Sequence, residues 1–447
     1  MNVPALAALL LMLGCGGETP RRLNVLLLTI DTLRADHLSC YGYQRPTSPE
    51  IDRLAAQGVL FRNPIVQRGG TWPSLTSILT SMYPHSHGVR KNGEQLDASK
   101  KILAELLSDE GYATAAFLTN MISAPNRGFD EKQHFSRKSN DVEATEAAIR
   151  WLEENRNRRF FVWVHLMGPH DPYVPSGRFA RMFDTGYKGR LDGKRGTLQR
   201  IQRQKRRLSE RELAHIISLY DGDVVEVDQN IGTIVSSLDR LGLADHTLVV
   251  FTSDHGEELY EHNRYFFHSY SIYESVLRVP LVMRLPATLP QGATVVAPVE
   301  SIDIAPTILE LLGIPLPGDF EGKSLAGHIL GQPSDAEAVA FSELGPEIFS
   351  IRTERWHYIY NPLGLRAPTT RDRAKQAQPV FEIAREELYD ALHDPREATN
   401  LVHEHPALAA QLRRRLRAWI ETSGATYRPQ ELLPEAEEEL RALGYLN

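Results

Sequence analysis

Cysteine is almost missing from this chain: 447 residues hold two, Cys15 and Cys40. So few thiols exclude a disulfide framework as the source of the fold. Long apolar runs are missing as well. The N-terminal run Val3–Leu13 covers eleven residues, about half of what a helix needs to cross a bilayer. Excess positive charge is the third absence. Lys and Arg number 50 against 57 Asp and Glu, a formal charge of −7, which excludes a nucleic-acid binder that relies on overall basicity. What is present is a globular composition, 42% hydrophobic and 24% charged, with length for about two or three domains and a large core.

The run Val3–Leu13 is broken only by Pro4 and leads into Gly14-Cys15-Gly16-Gly17. It has the length of the apolar stretch in a secretory signal, and Met12-Leu13-Gly14-Cys15 resembles a bacterial lipobox, whose cysteine is lipidated and begins the mature chain. The expectation is an exported protein held to a membrane through a lipid anchor on Cys15, in the periplasm or at the membrane surface of a bacterial cell envelope. Residues 1–22 are then signal and short linker, and Cys40 is the one thiol of the folded part.

From Asn24 onward, short apolar runs alternate with amphipathic helical stretches. Asn24–Ile30 (NVLLLTI), Ala113–Thr119, Phe160–Leu166, Thr247–Thr252 and Leu281–Leu285 read as strands, continuous and apolar as buried strands are. Thr47–Gln57, Ser99–Asp109 and Asp141–Glu154 have helical spacing, and Ser209-x-x-Glu212 is a capping box opening a long helix to about Leu241. Such alternation predicts an α/β fold, a mostly parallel sheet covered by helices on both faces. Ligands in such sheets sit beyond the carboxyl ends of the strands. Lys188–Arg211 holds ten Lys and Arg but two acids, and reads as a mobile, solvated surface insertion rather than a dedicated anion-binding patch. A smaller C-terminal α+β unit is expected over residues 335–447, after a catalytic domain at 23–334. It contains strand-like Val339–Phe341 and Trp356–Tyr360 and a helix at Pro406–Thr422.

Polar clusters recur just past those strand ends. Asp31 directly follows NVLLLTI, in a run that continues through Arg34 to His37; a carboxylate there can bind a hard cation, or simply cap a helix. Gly69-Gly70-Thr71-Trp72-Pro73-Ser74 has glycines for close backbone approach and Pro73 for a first helical turn. Thr71 would present its hydroxyl at a helix N-terminus, where the dipole favours an anion; capping by Thr71 or Ser74 is the plainer role. Ser253-Asp254-His255-Gly256-Glu257 offers oxygen and imidazole ligands to one divalent ion. His165 and His170 follow the strand Phe160–Val164, and His268 lies downstream of Asp254-His255.

In number and order these clusters resemble the sulfatase family of the alkaline-phosphatase-like superfamily, over about residues 23 to 447. Thr71-Trp72-Pro73-Ser74-Leu75 with Thr80 is similar to the family's Cys/Ser-x-Pro-Ser-Arg…Thr-Gly nucleophile motif. Asp254-His255 resembles its metal pair, Asp31 its first aspartate ligand, and Pro169-His170-x-Pro172 its Pro-His-x-Pro loop. Arg278-Val279-Pro280, Asp303-Ile304-x-Pro306-Thr307, Glu387-Leu388-Tyr389-Asp390 and Asp394-Pro395 extend the likeness. The resemblance implies one divalent ion held by Asp31, Asp254 and His255 with Thr71 as fourth ligand. Mixed oxygen and nitrogen ligation suits zinc or manganese better than calcium or magnesium. It implies attack by Thr71 in line to give a covalent threonyl ester, with His170 and His268 on the non-bridging oxygens or leaving group. Arg34, Lys91 and His165 are further substrate-side candidates, and His165 and Glu257 could also orient the ligands.

The departures from the motif bear on the reaction. Sulfatases of the formylglycine type oxidise a cysteine or serine to an aldehyde, whereas threonine, with its β-methyl group, could give at most a ketone. Leu75 and Ser81 replace the motif's arginine and glycine, Thr32 follows the first aspartate where a second aspartate is usual, and Gly111-Tyr112-Ala113-Thr114 leads to Asn120 without the sulfate-gripping Gly-Lys-Trp-His segment. A threonine nucleophile resembles lipoteichoic acid synthases and phosphoethanolamine transferases, relatives that act on phosphodiesters. The expected function is metal-dependent cleavage of an anionic ester, phosphodiester preferred over sulfate. The alternatives are sulfuric ester hydrolysis despite the threonine, phospho-group transfer onto cell-envelope polymers, or, in a different class, a non-catalytic anion-binding lipoprotein.

Overall fold

The computed structural model describes residues 23–119, 127–136, 138–263, 265–269, 271–332, 337–345, 348–364 and 383–424; Cys15 and Asn120 lie outside them. Eight strands form the central sheet: β1 (Asn24–Ile30), β2 (Val59–Ile65), β3 (Ala113–Leu118), β4 (Glu131–His134), β5 (Phe160–Leu166), β6 (Thr247–Ser253), β9 (Leu281–Arg284) and β10 (Ala293–Glu300). A two-stranded ribbon, β7 (Glu258–Leu259) with β8 (Tyr265–Phe267), interrupts their sequence. The order across the sheet is β10-β2-β9-β6-β1-β5-β3-β4, and β9 alone runs against its neighbours β2 and β6.

β1 has no polar face because both of its faces are covered. Leu26, Leu28 and Ile30 pack into one core with Val224, Ile231 and Leu238 of the long helix Glu210–Arg240. Val25 and Leu27 join the opposite core with Leu75 and Ile78 of the helix Thr71–Thr80 and Ile308 of the helix Ile304–Leu311. A strand buried on both sides must be apolar at every position, which is why NVLLLTI carries no alternation. The long helix begins as the capping box predicts, with the Glu212 amide donating to Ser209 Oγ at 3.3 Å and the Ser209 amide to Glu212 Oε2 at 3.0 Å.

A second, antiparallel sheet joins β11 (Ala340–Glu343), β12 (Phe349–Arg352), β13 (Trp356–Tyr360) and β14 (Glu386–Asp390) in that order. The helix Pro406–Ser423 covers one face through Ala409, Leu412 and Leu416. Its other face shares a core with the first sheet, where Ala340, Ile348, Ile359 and Tyr389 meet Ile65, Val66, Ile272 and Leu277.

The basic stretch Lys188–Arg211 is not the solvated loop its composition suggests. Arg195–Gln204 is a helix, and its Leu198 and Ile201 are 2% and 1% exposed. Two apolar residues at i and i+3 sufficed to seat it, a signal that the surrounding charge obscures.

Candidate active site

Parallel register brings four strand ends to one edge. Ile30 lies level with Leu166 of β5 and Ser253 of β6, so Asp31, the 167–172 loop and Asp254 leave the sheet together. β2, parallel to these strands, delivers the chain to Thr71 at the same edge.

Thr71 is the first residue of its helix, and the turn before it demands glycine. A Cβ on Gly69 would lie 2.3 Å from Val276 Cγ1. Neither Thr71 nor Ser74 caps the helix. Asn92 does so from another loop, accepting the Trp72 amide at 3.0 Å, while Ser74 donates to the Asp254 carbonyl at 2.5 Å. The Thr71 hydroxyl instead stands 3.5 Å from His255 Nε2.

Asp31, Asp254 and His255 are fully buried, and a potential ligand atom from each lies within 4.8 Å of the others. His255 Nδ1 is 2.9 Å from the Gly256 carbonyl, which places the ring hydrogen on Nδ1 and turns the Nε2 lone pair toward the acids. Nε2 is 3.4 Å from Asp254 Oδ2 and 3.9 Å from Asp31 Oδ1. Asp254 Oδ1 accepts the Thr32 amide at 3.2 Å and the His255 amide at 2.8 Å, and its Oδ2 accepts no hydrogen bond. Burial pushes the Asp254 carboxyl up to about 7 in spite of those amides, and burial followed by His268 lowers His255 to about 4. Two buried carboxylates beside a neutral imidazole form a donor set that a divalent cation would satisfy. Thr32, standing where the resemblance has a second aspartate, is held at φ +58° with Tyr220 donating to its carbonyl at 2.8 Å. Thr32 thus offers no carboxylate beside Asp31 and Asp254.

The two other histidines meet over this cluster. His268 stacks on His255 with ring centroids 4.5 Å apart and meets His170 edge-on at 5.2 Å. His268 Nδ1 is 3.2 Å from Glu257 Oε1; burial lowers His268 to about 4 and raises Glu257 to about 8. The loop bearing His170 is tied down along its backbone. Asp141 accepts the Met167 and Gly168 amides at 3.0 Å each. Lys138, ion-paired to Asp223 at 2.7 Å, donates to the carbonyls of His170 and Pro172 at 3.0 and 3.1 Å.

The structure thus brings Asp31, Thr71, Asp254, His255, His170 and His268 together. His165 lies within β5, its Nδ1 2.9 Å from Thr29 Oγ1 and its Nε2 3.9 Å from Asp31 Oδ2, a place for orienting Asp31 more than for meeting substrate. Arg34 is turned to internal partners: its guanidinium clamps Asp36 at 2.9 and 2.8 Å, Glu261 at 2.8 Å and the Glu257 carbonyl at 2.9 Å. Lys91 is exposed on the loop before Asn92. Sequence reasoning missed Asn92, Lys138, Asp141 and Arg195, whose Nε donates to Asp171 Oδ2 at 3.1 Å. None of the four lies in a motif; Asp171, the partner of Arg195, does, as the variable position of the Pro-His-x-Pro loop.

Fold and site together define a hydrolase of the alkaline-phosphatase-like superfamily. The model of the family described as Sulfatase matches residues 23–314, so the chain belongs to the sulfatase family. A second model, described as N-sulphoglucosamine sulphohydrolase, C-terminal, matches residues 261–422. The chain is 26% identical to an N-acetylglucosamine-6-O-sulfatase of Bacteroides thetaiotaomicron, across 86% of this chain and 83% of that one. It is 27% identical to the multifunctional alkaline phosphatase superfamily protein PehA of Trinickia caryophylli, across 70% of this chain and 78% of that one. Among solved structures, a protein in complex with its substrate D-glucosamine-2-N,6-O-disulfate has the same fold, with a TM-score of 0.74 and 23% identity over 90% of this chain and 98% of that chain.

Proposed function

We propose that this sulfatase-family hydrolase cleaves phosphate or sulfate esters by attack of Thr71, with phosphodiesters preferred over sulfates. The observation that carries the reading is the position of the Thr71 hydroxyl, excused from capping and 3.5 Å from His255 Nε2 beside two buried acids. Asp31, Asp254 and His255 would hold a divalent cation, which lowers the pKa of a neighbouring hydroxyl and neutralises charge on the ester.

Thr71 Oγ1 gives up its hydroxyl proton to solvent and forms the new bond to phosphorus or sulfur as the bond to the leaving oxygen breaks, leaving a threonyl ester that water releases. The N-terminus of the helix Thr71–Thr80 stabilises negative charge where that bond forms. His170 and His268 serve the non-bridging oxygens and supply a proton to the leaving oxygen. The β-methyl group of Thr71 supports phosphoester chemistry, since oxidation cannot turn it into the aldehyde of formylglycine. Sulfate-ester hydrolysis stays as the second reading, favoured by the likeness to a 6-O-sulfatase. A lipid anchor on Cys15 would place this chemistry at the bacterial envelope; a Cys15→Ser chain that still sediments with membranes would dismiss it. No helix of the described residues is long and apolar enough to cross a membrane.

The deciding experiment is a panel of phosphate monoesters, phosphodiesters and aryl sulfates assayed with zinc, manganese, calcium and magnesium, alongside Thr71→Ala. Phosphodiesters should turn over fastest, and Thr71→Ala should lose activity by orders of magnitude while keeping its fold. Full turnover by the variant removes Thr71 as nucleophile, and a clear preference for sulfate reverses the substrate order.

A further inference from the structure

The helix Arg195–Gln204 touches both histidine-bearing loops, one at each end. Near its N-terminus, Arg195 donates through Nε to Asp171 Oδ2 at 3.1 Å. Asp171 Oδ1 in turn lies 3.2 Å from His170 Nδ1, and the Asp171 carbonyl lies 2.7 Å from the same nitrogen. Two oxygens facing Nδ1 require a hydrogen there, so the tautomer and ring plane of His170 depend on where Asp171 is held. Near the C-terminus of the helix, Gln202 Nε2 donates to the Phe266 carbonyl at 3.1 Å. Phe266 lies two residues before His268 and adopts φ +56°, a left-handed backbone that a non-glycine residue keeps only when its surroundings impose it.

Packing joins the two ends. Leu198 and Ile201 enter the same core as Tyr173, just past the His170 loop, and Phe266. The chain leading into the helix is pinned as well, the Tyr173 amide donating to the Gly193 carbonyl at 3.0 Å. Arg195 is 29% exposed, Asp171 21% and His170 2%, so the series runs from the rim inward. Burial tends to raise the Asp171 carboxyl, but His170 and Arg195 outweigh it and hold the group below the usual carboxylate range. Asp171 therefore keeps its charge near neutrality, as an ion pair with Arg195 requires.

We infer that the helix Arg195–Gln204 is a clamp for the two active-site histidines, with Arg195 the positioning residue that fixes His170 through Asp171. This rests on the reading in which His170 acts on the bound ester. The role is one of alignment, so loss of Arg195 acts on turnover more than on substrate affinity.

The test uses the full chain and the best ester of the panel. Arg195→Met should lower kcat about tenfold to a hundredfold, the range expected for a misplaced catalytic group, with KM within about twofold. Arg195→Lys should recover most of the loss. Asp171→Asn should fall by a similar factor, and the double variant Arg195→Met/Asp171→Asn no further, because one chain of contacts cannot be broken twice. Additive losses, an unchanged kcat, or a rise in KM at constant kcat would each overturn the inference, the last by placing Arg195 on the substrate. A second readout does not depend on turnover. The imidazole nitrogen resonances of His170 should shift in Arg195→Met, and identical resonances would overturn the clamp even in a variant of altered activity. Activity in Thr71→Ala would instead count against the nucleophile and leave the resonance test standing. Melting temperatures of all variants separate misalignment from unfolding.

Discussion

His165 shows how a residue can serve this site without meeting the substrate. Trp163 Nε1 donates to Thr29 Oγ1 at 2.9 Å, so the Thr29 hydrogen is directed at His165 Nδ1, also 2.9 Å away. Burial, followed by the nearby His255 and His170, lowers the ring to about 3, and the neutral imidazole presents its Nε2 hydrogen toward Asp31 Oδ2. At 3.9 Å Nε2 makes no hydrogen bond, so its influence on Asp31 is electrostatic; where Asp31 holds an ion, loss of such a neighbour is expected to weaken binding by about tenfold to a hundredfold. His165→Phe should fold and lose divalent-ion affinity by that factor in equilibrium dialysis; unchanged affinity would show that Asp31 needs no such support. At this scale the sequence was legible where chemistry and punctuation coincide. Asp31, Asp254 and His255 each sit directly past an apolar run, and Thr71 follows paired glycines. Arg34 was misleading for a physical reason: it follows Asp31 closely, yet Asp36 and Glu261 take up its guanidinium. Asn92, Lys138 and Arg195 act across long sequence separations, and no local pattern marks them.

Strands β1, β5 and β6 and the long helix could be placed from pattern alone, because continuous apolar runs and a capping box are local signals. β2 and β10 could not, since Val59–Ile65 contains Arg62, Asn63 and Pro64, and Val295 and Pro298 flank a register shift in their pairing. The end of β10 carries a device of its own. Glu300 accepts the Phe341 amide of β11 and the Tyr83 hydroxyl, each at 2.9 Å, joining the two sheets. Burial and the adjacent Asp303 push its carboxyl up to about 8 from 4.5. The folded chain therefore retains a proton that the unfolded chain releases between those values, and stability falls as pH rises through that window. A single group can contribute at most about 1.4 kcal/mol per pH unit. Glu300→Gln keeps an acceptor for both donors and removes the titration. Its unfolding free energy from urea titration should decline less between pH 5 and 8 than that of the parent, by up to about 1.4 kcal/mol per pH unit. Parallel declines would assign the loss to other buried acids.

At the scale of the whole molecule, the small sheet supports the candidate site from behind. Gly256, two residues after Asp254, runs so close to Ser275 that a Cβ would come within 2.1 Å of the Ser275 carbonyl. The helix Glu274–Leu277 thus presses on the loop that carries Asp254 and His255. Glu274, at its start, is buried against Arg352 of β12 at 2.5 Å, and its amide donates to Glu397 at 2.8 Å. Glu397 also pairs with His357 of β13 at 2.5 Å, while its carbonyl faces His262 Nε2 at 3.0 Å. Glu274, His357 and Glu397 have the composition of a cation site, but Arg352 already supplies positive charge there. A chain ended at residue 334 would strip Glu274 of Arg352 and Glu397 and expose Ile65, Val66, Ile272 and Leu277, which now share a core with the small sheet. Exposed apolar surface costs about 25 cal/mol per Å², and baring one side of this shared core removes a large share of a typical domain's stability. Such a chain should lack a cooperative unfolding transition and turn over no ester. Arg352→Met is the milder form, expected to lower stability by about 3–5 kcal/mol in urea while the folded fraction keeps its activity. A chain ended at residue 334 that melts cooperatively and retains full turnover would show that the large sheet is complete without its neighbour.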